Sequence, residues 1–133
     1  MQISARNFGY VFGAAYILVG LVGFALTGFS DFAASDGHML LFFEINPLHN
    51  VVHLLIGSAL VGAATISELA ARRVAGAIVV TYALVGVLGF FLVDQEALNL
   101  LALNHADNAL HLLSAAAGLL VLTRVPAPAS ARA

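Results

Sequence analysis

The sequence predicts an all-α membrane protein: four transmembrane helices in an up-down-up-down bundle, made of two tandem helical-hairpin repeats. Three observations predict it. Charged residues make up 9% of the 133-residue chain and hydrophobic residues 62%, against about 25% charged in an ordinary soluble domain. Apolar stretches long enough to cross a bilayer occur four times. One pattern of tyrosine, glycine, asparagine and histidine occurs twice.

A crossing helix needs roughly 20 apolar residues. The first span is expected from Phe8 to Gly28 and the second from Pro47 to Ile66, the latter carrying His49, Asn50 and His53. The third is expected from Val74 to Val93 and the fourth from His105 to Thr123. The first is read as a span rather than a signal peptide, because its apolar run is long for a signal and it pairs with the third span. Residues 29–45 form the longer connecting loop, in which the run Met39–Phe43 fits either an interfacial segment or a buried turn. The tail from Val125 to Ala133, rich in Pro, Ala and Ser, is expected to be a disordered cytoplasmic tail.

Charge sets the orientation. The chain has no Lys, and its five Arg are Arg6, Arg72, Arg73, Arg124 and Arg132. Four spans put all five on one side, which the positive-inside rule makes cytoplasmic. Of the acids, only Glu68 shares that side; Asp31, Asp36, Glu44, Asp94, Glu96 and Asp107 sit opposite. With Arg in place of Lys, the expectation is a bacterial inner membrane with both termini cytoplasmic. A net charge of −2 lacks the basic footprint of a nucleic-acid partner. The absence of Cys removes disulfides, thiolate catalysis and thiolate zinc sites. No nucleophile with an adjacent base and no phosphate loop occurs, so the chain is read as non-enzymatic.

The repeat is carried by particular residues. Tyr16, Gly20, Gly23 and Phe24 recur at the same spacing as Tyr82, Gly86, Gly89 and Phe90. Asn46, Asn50 and His53 recur as Asn104, Asn108 and His111. Repeat one is placed at residues 6–66 and repeat two at 72–123, within a single transmembrane domain of residues 1–124. Polar residues are rare inside spans, which makes chance similarity a poor explanation.

Part of this pattern starts helices. Asn46 and Asn104 are N-caps, Pro47 suits the first helical position, and Asp107 stands where a capping box has its acid. Tyr16 and Tyr82 read as packing residues, and His38 and His105 as solvated or interfacial ones. The inner residues His49, Asn50, His53, Asp107, Asn108 and His111 form the candidate polar cluster. Residues three or four apart share a helix face, so Asn50 and His49 both neighbour His53. A pseudo-twofold axis would aim His53 at His111 across the bundle.

Three readings of the cluster stand open. It is a structural hydrogen-bond network, with the glycines allowing close helix approach. Or it is a ligand site: His53 and His111 hold haem b axially with the glycines making room, or His49, His53, His111 and Asp107 hold a divalent metal such as Zn²⁺ or Cu²⁺. Or it marks a proton or solute path. Gly9 and Gly13 are a candidate face for packing protomers together.

The segment from Asn46 to His53, followed by Ala106 to His111, resembles a family of small bacterial membrane proteins known only as domain of unknown function 4383. The resemblance spans most of the chain. It implies a four-span helical protein, with Asn46, His49, Asn50, His53, Asp107, Asn108 and His111 as signature positions, and it implies no activity. The reading carried forward is a non-enzymatic membrane bundle in contact with lipid, a homo-oligomer or an accessory subunit of a larger membrane complex. The alternative is a haem- or metal-binding protein using His53 and His111.

Overall fold

A computed structural model describes residues 4–124. Helix α1 covers Ala5–Thr27, α2 Pro47–Ile66, α3 Glu68–Leu92 and α4 His105–Arg124. Between α1 and α2 lies a two-stranded antiparallel hairpin, β1 His38–Leu40 and β2 Phe43–Ile45. All four helices are long and apolar enough to cross a membrane. At about 1.5 Å per residue they reach roughly 30–38 Å, enough for a hydrocarbon core of about 30 Å.

Burial is inverted relative to a water-soluble protein. Leu18, Leu21, Val80, Leu84, Leu119 and Leu120 are exposed, whereas Asn46, His49, Asn50, His53, Asn108 and His111 are buried. In lipid this is the stable arrangement: hydrocarbon faces hydrocarbon, and polar side chains turn toward one another.

The helices begin where the sequence offers caps. The Ser4 hydroxyl accepts the Asn7 N–H, and the Asn46 side chain accepts the His49 N–H with Pro47 following it. Ser67 alone separates α2 from α3; its N–H donates to the Ala63 carbonyl and its hydroxyl accepts the Ala70 N–H. α3 therefore starts at Glu68 rather than Val74, and Arg72 and Arg73 lie on its first turns rather than in a loop. The Glu68 carboxylate accepts the free N–H groups of Ala5 and Arg6 at 2.6 and 3.2 Å. That supplies partners at the start of α1, which begins at Ala5 rather than Phe8.

The contact of α1 with α2 is the most extensive, followed by α3 with α4; α1 and α4 barely touch. Gly9 and Gly13 are buried against Leu60 and Gly57 of α2. They close the chain's own α1–α2 seam, which corrects the expectation that they face another protomer. Away from the hairpin, the interior is apolar: Phe8, Leu60, Ala75 and Ala115 pack with Phe12, Val74, Ile78, Val121 and Leu122.

In the loop of residues 29–45, the run Met39–Phe43 is not a buried turn but lies in the β1–β2 hairpin, which follows a stretch of turns and bends. His38 pairs with Ile45, Met39 with Glu44 and Leu40 with Phe43, and the tip residues Leu41 and Phe42 are 78% and 74% exposed. The tail expected to be disordered lies outside the described residues.

Candidate functional site: a buried histidine cluster

The cluster sits at the hairpin end, where α2 and α4 begin. Asn46 caps α2 through its carbonyl oxygen, and its amide donates to the carbonyls of Ala34 and Leu100, both at 2.8 Å. One side chain thus starts the helix and fastens both connecting loops over it. Asn104 and Asp107 form the expected capping box: Asn104 Oδ1 accepts the Asp107 N–H at 3.0 Å, and Asp107 Oδ2 accepts the Asn104 N–H at 3.3 Å. Asp107 Oδ2 also accepts the Glu44 N–H at 3.2 Å, docking β2 onto α4. Asn104 Nδ2 donates to the Phe42 carbonyl.

One turn deeper, the two inner asparagines each press on a glycine. A Cβ at Gly23 would collide with the Asn50 side chain, and one at Gly89 with Asn108. Gly20 and Gly86 similarly receive Leu54 and Leu112. The space beside these glycines is filled by the chain's own side chains. It leaves no slot for a porphyrin, which removes the steric basis of the haem reading.

His49, His53 and His111 come together. Nε2 of His49 lies 3.2 Å from Nε2 of His53. One nitrogen from each of the three rings falls within 4.8 Å of the others, and all three residues are buried. Asp107 is not in this group, because its carboxylate is engaged at the cap. The four-residue donor set is therefore corrected to three. The Nδ1 atoms of His49, His53 and His111 are buried without a hydrogen-bond partner. The carbonyls of Leu101 and Glu44 lie beside His49 but form no hydrogen bond of good geometry with it. A buried polar atom left unpaired costs about 1–3 kcal/mol, so the protein alone does not satisfy this cluster. His38 and His105 are exposed and outside it, His105 stacking on Phe90.

Two residues read from sequence as plain packing belong to the site. The Tyr16 ring lies 5.5 Å from that of His53, the Tyr82 ring 4.9 Å from that of His111, and the two tyrosines meet edge to face at 5.4 Å. The Tyr16 hydroxyl neighbours Ser114 and Tyr82. Together they floor the cluster on the side of the apolar core. The sequence marks them only as a matched pair, each four residues before a glycine; the rings they meet are set by helix packing.

Comparison with curated proteins and with solved structures finds no match in either. A family model described as a domain of unknown function, DUF4383, matches residues 6–123. The match takes in all four helices, both capping asparagines, the three histidines and the tyrosine floor, and the chain belongs to the DUF4383 family.

Proposed function

We propose that the protein is a non-enzymatic, multi-pass binding protein of the bacterial inner membrane, an accessory component of a larger assembly or of a homo-oligomer. Its polar interior would face the non-cytoplasmic side only. The observation that carries this reading is the vertical order of the interior. Capped asparagines and loops come first, then the histidines, then Tyr16 and Tyr82, and below them the apolar packing of Phe8, Phe12, Leu60, Ala75 and Ala115. A conduit for protons or solutes needs polar groups or water along its whole length. Here the polar interior ends on hydrocarbon, which suits a site that holds something rather than passes it on.

The finer architecture belongs to the same proposal: an up-down-up-down bundle of two duplicated hairpins with both ends cytoplasmic. It is supported by matched contacts in the two halves. Gly23 receives Asn50 as Gly89 receives Asn108. Arg6 Nε donates to the Ala64 carbonyl as Arg72 Nη2 donates to the Leu122 carbonyl, both at 2.7 Å. The distribution of Arg and acids supports the orientation. A second reading, in which the cluster only fixes packing, is favoured by the 3.2 Å His49–His53 approach, which an N–H···N hydrogen bond also explains.

The test is a proteoliposome flux assay together with reporter fusions. Fusions at Asp36 and Glu96 should report the non-cytoplasmic side, and one at Arg72 the cytoplasmic side. Proton flux and potassium flux should equal those of protein-free vesicles. Flux that His53→Asn abolishes would replace the binding reading with a conduit, and either loop on the opposite side would end the topology.

A further inference from the structure

We infer that His49, His53 and His111 form a coordination site for a single divalent transition-metal ion, Zn²⁺ or Cu²⁺, held by three imidazoles inside the membrane domain. The inference deepens the binding reading above, and rests on it, by naming the ligand.

The geometry carries it. At metal–nitrogen distances of about 2.0–2.1 Å, two nitrogens 3.2 Å apart subtend about 100–106° at a shared ion. That is close to the tetrahedral angle, so His49 and His53 already stand as two ligands would. Their i, i+4 spacing on α2 produces this, because one helical turn stacks the two rings on one face. His111 approaches from α4. With all three nitrogens inside 4.8 Å, closure on an ion needs shifts of roughly 1.5 Å or less. Rotation of buried imidazoles supplies that without moving a helix.

The capping groups around the rings are engaged elsewhere. The caps in this region are well paired: Asn46, Asn104 and Asp107 each make two or more hydrogen bonds. The three histidines, each at least 94% buried, are left facing one another, with Nε2 of His49 3.2 Å from Nε2 of His53. Imidazole is a borderline ligand suited to zinc and copper, and the group holds neither thiolate nor carboxylate to favour softer or harder ions. Three protein ligands leave a fourth position for water or another small donor. The tyrosine floor closes the site below, and the loops that Asn46 and Asn104 fasten close it above.

The experiment uses full-length protein in nanodiscs, purified by a tag without histidine, stripped with chelator and titrated with Zn²⁺, Co²⁺ and Cu²⁺. One equivalent should be retained through desalting. Co²⁺ should give the intense visible bands of a four-coordinate site, and Cu²⁺ an EPR spectrum with imidazole nitrogen couplings. His111→Asn should weaken binding by at least about 100-fold, more than loss of a supporting group does. Asp107→Asn should leave stoichiometry unchanged. Folded wild-type protein that retains no metal would overturn the site, as would equal uptake by the H49N/H53N/H111N triple variant. So would metal that disappears when the exposed His38 and His105 are replaced. If the triple variant does not fold, the wild-type Cu²⁺ spectrum decides, since a spectrum without imidazole nitrogen overturns the assignment. A protein that binds no metal while its vesicles stay flux-tight loses this site alone; histidine-dependent flux would remove the binding reading beneath it.

Discussion

Asn50 and Asn108 occupy matching places, yet they are treated differently by their surroundings. Each is fully buried, and each side chain fills the space above a glycine on the neighbouring helix, Gly23 or Gly89. Four residues beyond the first glycine stands Thr27, whose hydroxyl accepts the Asn50 amide at 3.0 Å. Four residues beyond the second stands Val93, and both polar atoms of Asn108 are left without a partner. The same contrast separates His49 from Asp107, one position before each asparagine: a ring in the cluster on α2, a capping carboxylate on α4. The two halves therefore share a steric lock and differ in polar content. Shape complementarity is alike in the two halves where helices meet, while their hydrogen-bonding groups differ, and two of the three clustered histidines stand on α2.

The largest expected effect breaks the lock itself. Gly23→Ala places a methyl group into the Asn50 side chain. Overpacking of a tight seam costs about 1–3 kcal/mol. Asn50 is held by Thr27 and cannot swing away, whereas Asn108 has no such tether. Gly23→Ala should therefore lower stability in detergent more than Gly89→Ala does. Equal losses in a thermal or SDS unfolding series would show that the tether has no mechanical role.

Next in size is Asp107→Ala, which removes the acceptor for the Asn104 and Glu44 N–H groups. A lost cap costs about 0.5–2 kcal/mol, and the hairpin should loosen with it, visible as faster amide exchange at Glu44 and its strand neighbours.

Thr27→Val makes the first half like the second. Hydrogen bonds between membrane helices contribute about 0.6 kcal/mol on average and up to about 1.7, so a loss near 1 kcal/mol is expected. The informative quantity is the coupling: in the Thr27→Val background, Gly23→Ala should cost no more than Gly89→Ala. Strict additivity of Thr27→Val and Gly23→Ala would contradict a shared mechanism.

The parts of this protein that were readable from sequence are those governed by local chemistry or by lipid. Pro47–Ile66 has the bounds expected of it because Asn46 and Pro47 start the helix and Ser67 ends it. The pairing of His49 with His53 follows from helical periodicity alone. What was misread depends on partners distant in sequence. Arg72 and Arg73 looked like a loop because charges usually leave the membrane, yet Ser67 and Glu68 start a helix that carries them. The hairpin carried no turn signal: Leu41 takes a φ of 59° where glycine or asparagine is usual, so tertiary contacts impose the turn. Asp107 was legible as a capping acid and also stood among the ligand candidates because it matches His49 in register; its second acceptor role, toward the Glu44 N–H, depends on the docking of β2. Tyr16 and Tyr82 looked ordinary because which neighbour an aromatic ring meets is not written in its spacing.

The smallest expected effect is the most discriminating, because it is a gain. Val93→Thr keeps the shape of the side chain and adds the hydroxyl that the second half lacks. Val93 continues the helical backbone, with φ −50° and ψ −43° and its N–H donating to the Gly89 carbonyl, so threonine fits without backbone strain. By register its hydroxyl should stand relative to Gly89 as that of Thr27 stands relative to Gly23, on the side of the Asn108 amide. Supplying a partner to a buried, unpaired donor should stabilise by about 0.5–1 kcal/mol. The gain should fall toward the low end, because Val93 is partly exposed whereas Thr27 is 5% exposed, and surrounding polar groups compete for the hydroxyl. The effect should vanish in an Asn108→Ala background, which removes the amide it serves. A rise in unfolding midpoint that persists without Asn108 would come from elsewhere. A fall in a folded variant would mean that Asn108 is oriented away from Val93, and that the two halves part company at this level of the structure.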